Sequence, residues 1–140
     1  MKVHGVSLHY FDDRRNSDKF YRTFIWQDSH QTWHVAYHWG RDGAPRGQTK
    51  MESYSTKRGV EMALDKKVNE KISKGYEYLG QGDIDVSDRL FNSDFMRNHA
   101  ELSVIGNQLH DRVGRTPTKL PSGFTLVIQE EDDIMDLINA

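Results

Sequence analysis

The stretch from Trp33 to Trp39 (Trp-His-Val-Ala-Tyr-His-Trp) most constrains what this chain can become. Trp33, Val35, Tyr37 and Trp39 fall on one side at period two, and Thr32, His34, Ala36 and His38 on the other. Aromatic and β-branched residues at that spacing predict a strand over 32–39. The strand runs into a Gly/Pro-rich tip, Gly40-Arg41-Asp42-Gly43-Ala44-Pro45-Arg46-Gly47, and Gln48 to Met51 can return beside it as a second strand. The result is a hairpin with a loop longer than two residues. Its mouth carries a flat ring, Trp39, and two guanidiniums, Arg41 and Arg46. That pairing suits a nucleotide's sugar or base together with its phosphate.

Two further strands precede the hairpin. Val3 to Phe11 reads as a strand with imperfect alternation. Lys19 to Gln27 is a second, with Phe20, Phe24 and Trp26 on one face. Arg22 shares that face by parity, so it sits near a sheet edge or reaches for an anion. Asp28-Ser29-His30-Gln31 supplies a turn. From Ser55, taken as N-cap, to about Lys74, the residues Val60, Ala63, Leu64, Val68 and Ile72 recur at helical spacing. Gly75 is placed to end the helix. Lys66–Glu70 and Glu70–Lys74 are pairs of opposite charge four residues apart. Lys67, Lys71 and Lys74 form a stripe that a solvated face explains as well as a ligand does. Tyr76 to Leu79 predicts a short closing strand.

Charge divides the chain. Residues 1–82 hold 14 Lys and Arg against 10 Asp and Glu, a balance of +4, and residues 83–140 hold 5 against 11, a balance of −6. Of the 15 aromatics, 12 precede residue 83. A basic, aromatic-rich domain (1–82) followed by an acidic extension (83–140) is therefore expected, joined near Gly80-Gln81-Gly82. Hydrophobic content is 36%, below the ~45–50% of ordinary globular chains, so part of the chain is expected to pack poorly. In the extension, a helix over 93–110 is predicted, capped by Ser93 and carrying Phe95, Leu102, Ile105 and Leu109, with Gly106 a blemish. A strand over 124–129 follows, then an acidic end. The fold class is α+β: a small antiparallel sheet with one long amphipathic helix across it, plus a weakly structured acidic C-terminal region.

Several chemistries are excluded by residue type or spacing. With no cysteine, there is no thiol nucleophile, thiolate metal site or disulfide framework. His30, His34 and His38 recur every four residues, but on a strand that spacing is roughly 13 Å. Ligands of one ion lie at ~2 Å from it, so no shared metal is expected. Asp83-Ile84-Asp85-Val86-Ser87 opens like a calcium loop, yet Asp88 stands where that loop needs Gly and Asp94 where it needs Glu. No catalytic constellation stands out, so neither enzyme activity nor a cofactor is expected. No apolar run reaches the ~20 residues of a membrane helix. A cytoplasmic or nucleoid-associated protein is expected.

Lys19-Phe20-Tyr21, Trp39-Gly40-Arg41, Gly47-Gln48 and Lys71-x-x-Lys74-Gly75-Tyr76, in this order with the amphipathic helix between, resemble the WGR domain over about residues 7–80. That module occurs in DNA-damage-activated poly(ADP-ribose) polymerases and in many short bacterial proteins. The resemblance implies binding near a DNA strand break: Trp39 packing on the terminal sugar, Arg41 on phosphate or a partner, Gly40 allowing close approach of backbone. Arg22, Arg46 and Lys50 join that set on local charge alone. The tip between Gly43 and Gly47 is one residue longer than the family usually has. Two functions follow. One is a non-enzymatic DNA-binding module for ends, nicks or exposed sugar-phosphate. The other is a protein-interaction adaptor, using the hairpin surface or the acidic end with its apolar Ile134, Met135, Leu137 and Ile138.

Overall fold

A computed structural model describes residues 2–43, 47–86 and 99–121. Five strands form one antiparallel sheet: β1 (Lys2–Asp12), β2 (Ser17–Gln27), β3 (Trp33–Arg41), β4 (Gln48–Tyr54) and β5 (Glu77–Asp85), in the spatial order β4-β3-β2-β1-β5. Two helices accompany them, α1 (Lys57–Ser73) and α2 (His99–Val113). The five strands predicted before residue 83 are present, each somewhat longer than expected.

The expectation of a single helix across the sheet is corrected: each face carries one. Val6, Leu8, Tyr21, Ile25, Val35 and Tyr37 point to the α1 face and pack on Val60, Leu64 and Val68. Val3, Phe24, Trp26, Ala36 and Ile84 point the other way and pack on Leu102, Ile105 and Leu109 of α2. Two covered faces explain why β2 is buried continuously from Phe20 to Trp26 rather than alternately. They also account for His34 and His38, which lie on the Ala36 side of β3. Both are buried on the α2 face. His34 is held between Ser53 Oγ at 2.9 Å and the Asp28 carboxylate at 2.7 Å.

The imperfect pattern of β1 has a local cause. Its pairing with β5 slips between Ser7 and Leu8, where Ser7 meets Gly80 and Leu8 meets Tyr78. Gly80 takes φ +150°, and a Cβ there would sit 2.8 Å from the Val113 side chain. Only glycine gives both that backbone angle and the close approach of α2. Gly80-Gln81-Gly82 therefore lies inside β5, which continues to Asp85.

Thr56, rather than Ser55, caps α1: its Oγ1 accepts from Gly59 N at 3.0 Å. The C-terminus closes as the sequence predicts. Gly75 takes φ +101°, its N–H donates to Ile72 O at 3.0 Å, and Tyr76 N–H donates to Lys71 O at 3.1 Å. These are the two bonds of a Schellman cap. Glu70 reaches Lys74 at 3.9 Å as expected, and also Lys67 at 3.1 Å. The predicted helix start at 93, the strand at 124–129, Arg46 and the acidic end with Ile134, Met135, Leu137 and Ile138 lie outside the described residues. Among the described residues, no helix is long and apolar enough to cross a membrane.

Candidate nucleic-acid interface

Trp39 stands near the end of β3 on the α1 face, directly opposite Tyr21 of β2. The two rings stack, with centroids 5.8 Å apart and planes 17° from parallel. The indole is half-buried, packing on the core beneath without being enclosed by it. Aromatic contacts continue beyond it: Tyr21 meets Tyr37 and Tyr76, and Tyr76 meets Tyr10 at 5.4 Å. Four tyrosines and a tryptophan, brought from β1, β2, β3 and the end of α1, thus make one strip.

Cations lie along this strip. Lys71 Nζ sits 4.8 Å from the centre of the Tyr21 ring and 5.8 Å from that of Tyr76. Lys67 covers Tyr37 at 5.4 Å, and Lys19 covers Tyr10 at 5.8 Å. The stripe Lys67-Lys71-Lys74 therefore borders the aromatic strip, because the C-terminal half of α1 crosses β2 and β3 there. A shallow cavity of about 320 Å³ opens between Arg15, Lys19, Lys71, Lys74, Tyr10 and Tyr76. Partial burial pushes the Lys71 ammonium below its ordinary value, and Lys74 and Lys67 push it further the same way; Glu70 opposes them. Positive charge is thus crowded here, the condition in which an arriving phosphate gains most.

Of the residues singled out from sequence, Trp39 and Lys50 share this face. Lys50 lies on the edge strand β4, exposed, with Glu52 at 3.9 Å. Arg41 is exposed and donates from Nη1 to the carbonyl of Asn16 at 3.2 Å, tying the β3 end to the β1–β2 turn. A guanidinium has five N–H donors, so this bond engages one of them. Gly40 provides close backbone approach within the hairpin itself: a Cβ there would lie 3.0 Å from the Gly47 backbone. Gly47, at φ +70°, would bring a Cβ to 2.5 Å from the Trp39 carbonyl. Gly40 and Gly47 thus let the two arms of the hairpin close together beside Trp39.

Arg22 does not join them. It points to the opposite face from the central strand, away from the sheet edge, lines a cavity there with Asp42 and Gly43, and is 8% exposed. The sequence reading missed Arg15, Lys19, Tyr10 and Tyr76 as parts of this surface. The Lys71-x-x-Lys74-Gly75-Tyr76 run was the available signal, but nothing local to it announces Lys19 or Tyr10.

His9, Asp18 and Asp42 bring three potential metal-ligand atoms within 4.8 Å of one another. Each already has a partner: His9 Nε2 meets Asp18 at 2.5 Å, and Asp42 meets Arg115 at 2.7 Å.

The sequence model of the WGR domain matches residues 5–83. The chain belongs to the WGR family. The matched segment spans β1 to the greater part of β5 and includes α1, so the aromatic strip and its lysines are all WGR-domain residues, and α2 is appended to them. WGR domains occur in nucleic-acid-binding contexts and are binding modules rather than catalytic ones. No curated protein matches the chain.

Proposed function

We propose that this WGR protein is a non-enzymatic DNA-binding module that recognises strand ends, nicks or exposed sugar-phosphate. The observation that carries the reading is the juxtaposition of a half-buried indole with ring-mounted lysines: Trp39 on Tyr21, and Lys71 4.8 Å over that same Tyr21 ring. An exposed sugar or base at a break packs on the indole. Lys71, Lys74, Lys19 and Arg15 then take the adjoining phosphates, with Arg41 beside Lys19 on the neighbouring strand. An unbroken duplex shields its base faces and offers Trp39 no such surface. A module with few phosphate contacts has weak non-specific affinity, so discrimination rests on the break.

The test is a titration of blunt, nicked and closed-circular DNA, with and without a 5′-phosphate. Nicked and blunt DNA should bind more tightly than closed-circular DNA of the same length. Trp39→Ala should weaken that binding by about 1–3 kcal/mol, the usual stacking contribution, while circular dichroism stays unchanged. Equal affinity for closed and broken DNA refutes end recognition.

A further inference from the structure

The other face of the sheet holds a cation that DNA binding does not use. Arg22 lies on the central strand beneath α2, and its Nε has no hydrogen-bond partner among the described residues. Among the described residues, no carboxylate comes within ion-pair distance of its guanidinium. Burial pushes the guanidinium below its ordinary value; Asp42 opposes that shift, but its carboxylate is paired with Arg115 at 2.7 Å. Phe20 offers its ring, 4.4 Å from the guanidinium carbon. A cation–π contact of that kind offsets part of the desolvation cost, which for a buried ion is several kcal/mol.

The fold makes room for this arginine. Gly106 sits in the middle of α2, where glycine is unfavourable relative to alanine. A Cβ at that position would lie 2.7 Å from Arg22 Nη1 and 3.1 Å from its Cδ. The helix is notched where the guanidinium passes beneath it. The guanidinium lines a cavity of about 310 Å³ together with Asn107, His110, Arg115 and the Asp42 carboxylate that Arg115 neutralises. That volume is at the lower end for small-ligand sites.

We propose that this cavity binds a phosphate group, free or as the phosphomonoester of a small molecule, with Arg22 as the buried partner and Arg115 as the outer one. A phosphate supplies what the pocket lacks: several acceptor oxygens for a guanidinium short of acceptors. Arg115 is exposed and, among the described residues, joined to Asp42 and His110, and with five N–H donors it can reach the ligand while still holding Asp42. Asn107 lies one helical turn before His110, so both face the cavity and add donors.

The experiment is a ¹⁵N-resolved NMR titration of the full chain with inorganic phosphate and, separately, with ribose 5-phosphate. Saturable shifts at Phe20, Arg22 and Gly106 are expected with at least one of them. Tighter binding of the sugar phosphate makes the ligand an ester, and tighter binding of inorganic phosphate makes it the free anion. Arg22→Gln should lose on the order of 10-fold or more in affinity, as expected for a charged hydrogen-bonding group. Gly106→Ala is the second variant. It favours the helix and displaces the guanidinium, so affinity should fall while thermal stability holds. No saturable shift with either ligand, or unchanged affinity in Gly106→Ala, overturns the proposal. DNA affinity, carried by the opposite face, is measured in parallel. Its loss in Gly106→Ala would overturn the assignment to a small ligand.

Discussion

The two faces of one sheet handle positive charge in opposite ways. On the α1 face, lysines lie over tyrosine rings at the border of solvent, several close together, each with its head still hydrated. On the α2 face, a single arginine is buried under a notched helix, with one ring beneath it and its nearest acid engaged elsewhere. The first arrangement suits a polyanion that arrives with many weak contacts and is screened by salt. The second suits one anion of defined size, with the cost of burial already met by the fold. Side-chain chemistry follows the same division. The cations over the α1-face rings are lysines, hydrated point charges, and the buried cation of the α2 face is an arginine, a fixed fork of donors.

The largest effect should come from removing the second face. Leu109 is fully buried between α2 and the sheet, so Leu109→Ala should cost about 2–5 kcal/mol in chemical denaturation. At temperatures where the variant stays folded, its affinity for nicked DNA should be unchanged. A loss below 0.5 kcal/mol, the range of ordinary surface substitutions, would mean that α2 contributes nothing to the core, and the two-faced description would fail.

A smaller effect separates the faces by function. Lys71→Gln removes the cation over Tyr21 and should weaken DNA binding by about 0.5–2 kcal/mol, the range for partly exposed cation–π and phosphate contacts. Arg22→Gln should leave DNA binding where it was. If the two variants lose DNA affinity equally, the faces are not independent.

Much of the α1 face was legible in the sequence because its signals are local. The period-two run at 33–39, the apolar stripe of α1 and Gly75 each act within a few residues, and each fixed its element. The Thr56 cap was misplaced by one residue because Ser55 and Thr56 are adjacent, equally suitable cappers. The α2 face was hardly legible. Gly106 looked like a flaw in a helix, and it becomes a notch only once Arg22, 84 positions earlier, is known to pass beneath it. Arg22 itself shared parity with Phe20, Phe24 and Trp26, which placed it on the right face. Whether that face was open or covered depended on where residues beyond 83 folded, and no periodicity reports that. The aromatic strip with its lysines was illegible for the same reason. Lys19, Tyr10 and Lys71 meet only through sheet register and the crossing of α1.

Salt sharpens the contrast further. Arg15, Lys19, Lys71 and Lys74 together engage at most about four phosphates, so the log–log salt dependence of DNA binding should have a slope near −3 to −4. A slope beyond about −6 would require a wider basic surface than the α1 face supplies.

The smallest effect concerns alkaline pH, and here stability and binding should move in opposite directions. Burial and the neighbouring Lys74 and Lys67 hold the Lys71 ammonium below its ordinary 10.5. The charged form is thus disfavoured in the folded chain relative to the unfolded one. As pH rises through the lowered folded-state value toward 10.5, the folded chain sheds this proton first, and stability attributable to Lys71 increases across that window. The same loss of charge removes a phosphate contact, so DNA affinity should decline there, ahead of the ordinary lysine range. Lys71→Gln should abolish both trends, which a pH series of denaturation midpoints and DNA titrations would reveal. Arginine remains protonated throughout that window. Phosphate binding at Arg22 should therefore persist at pH values where DNA binding has begun to fall. A joint decline of the two would mean that one set of lysines serves both ligands, and the separation of the faces would be lost.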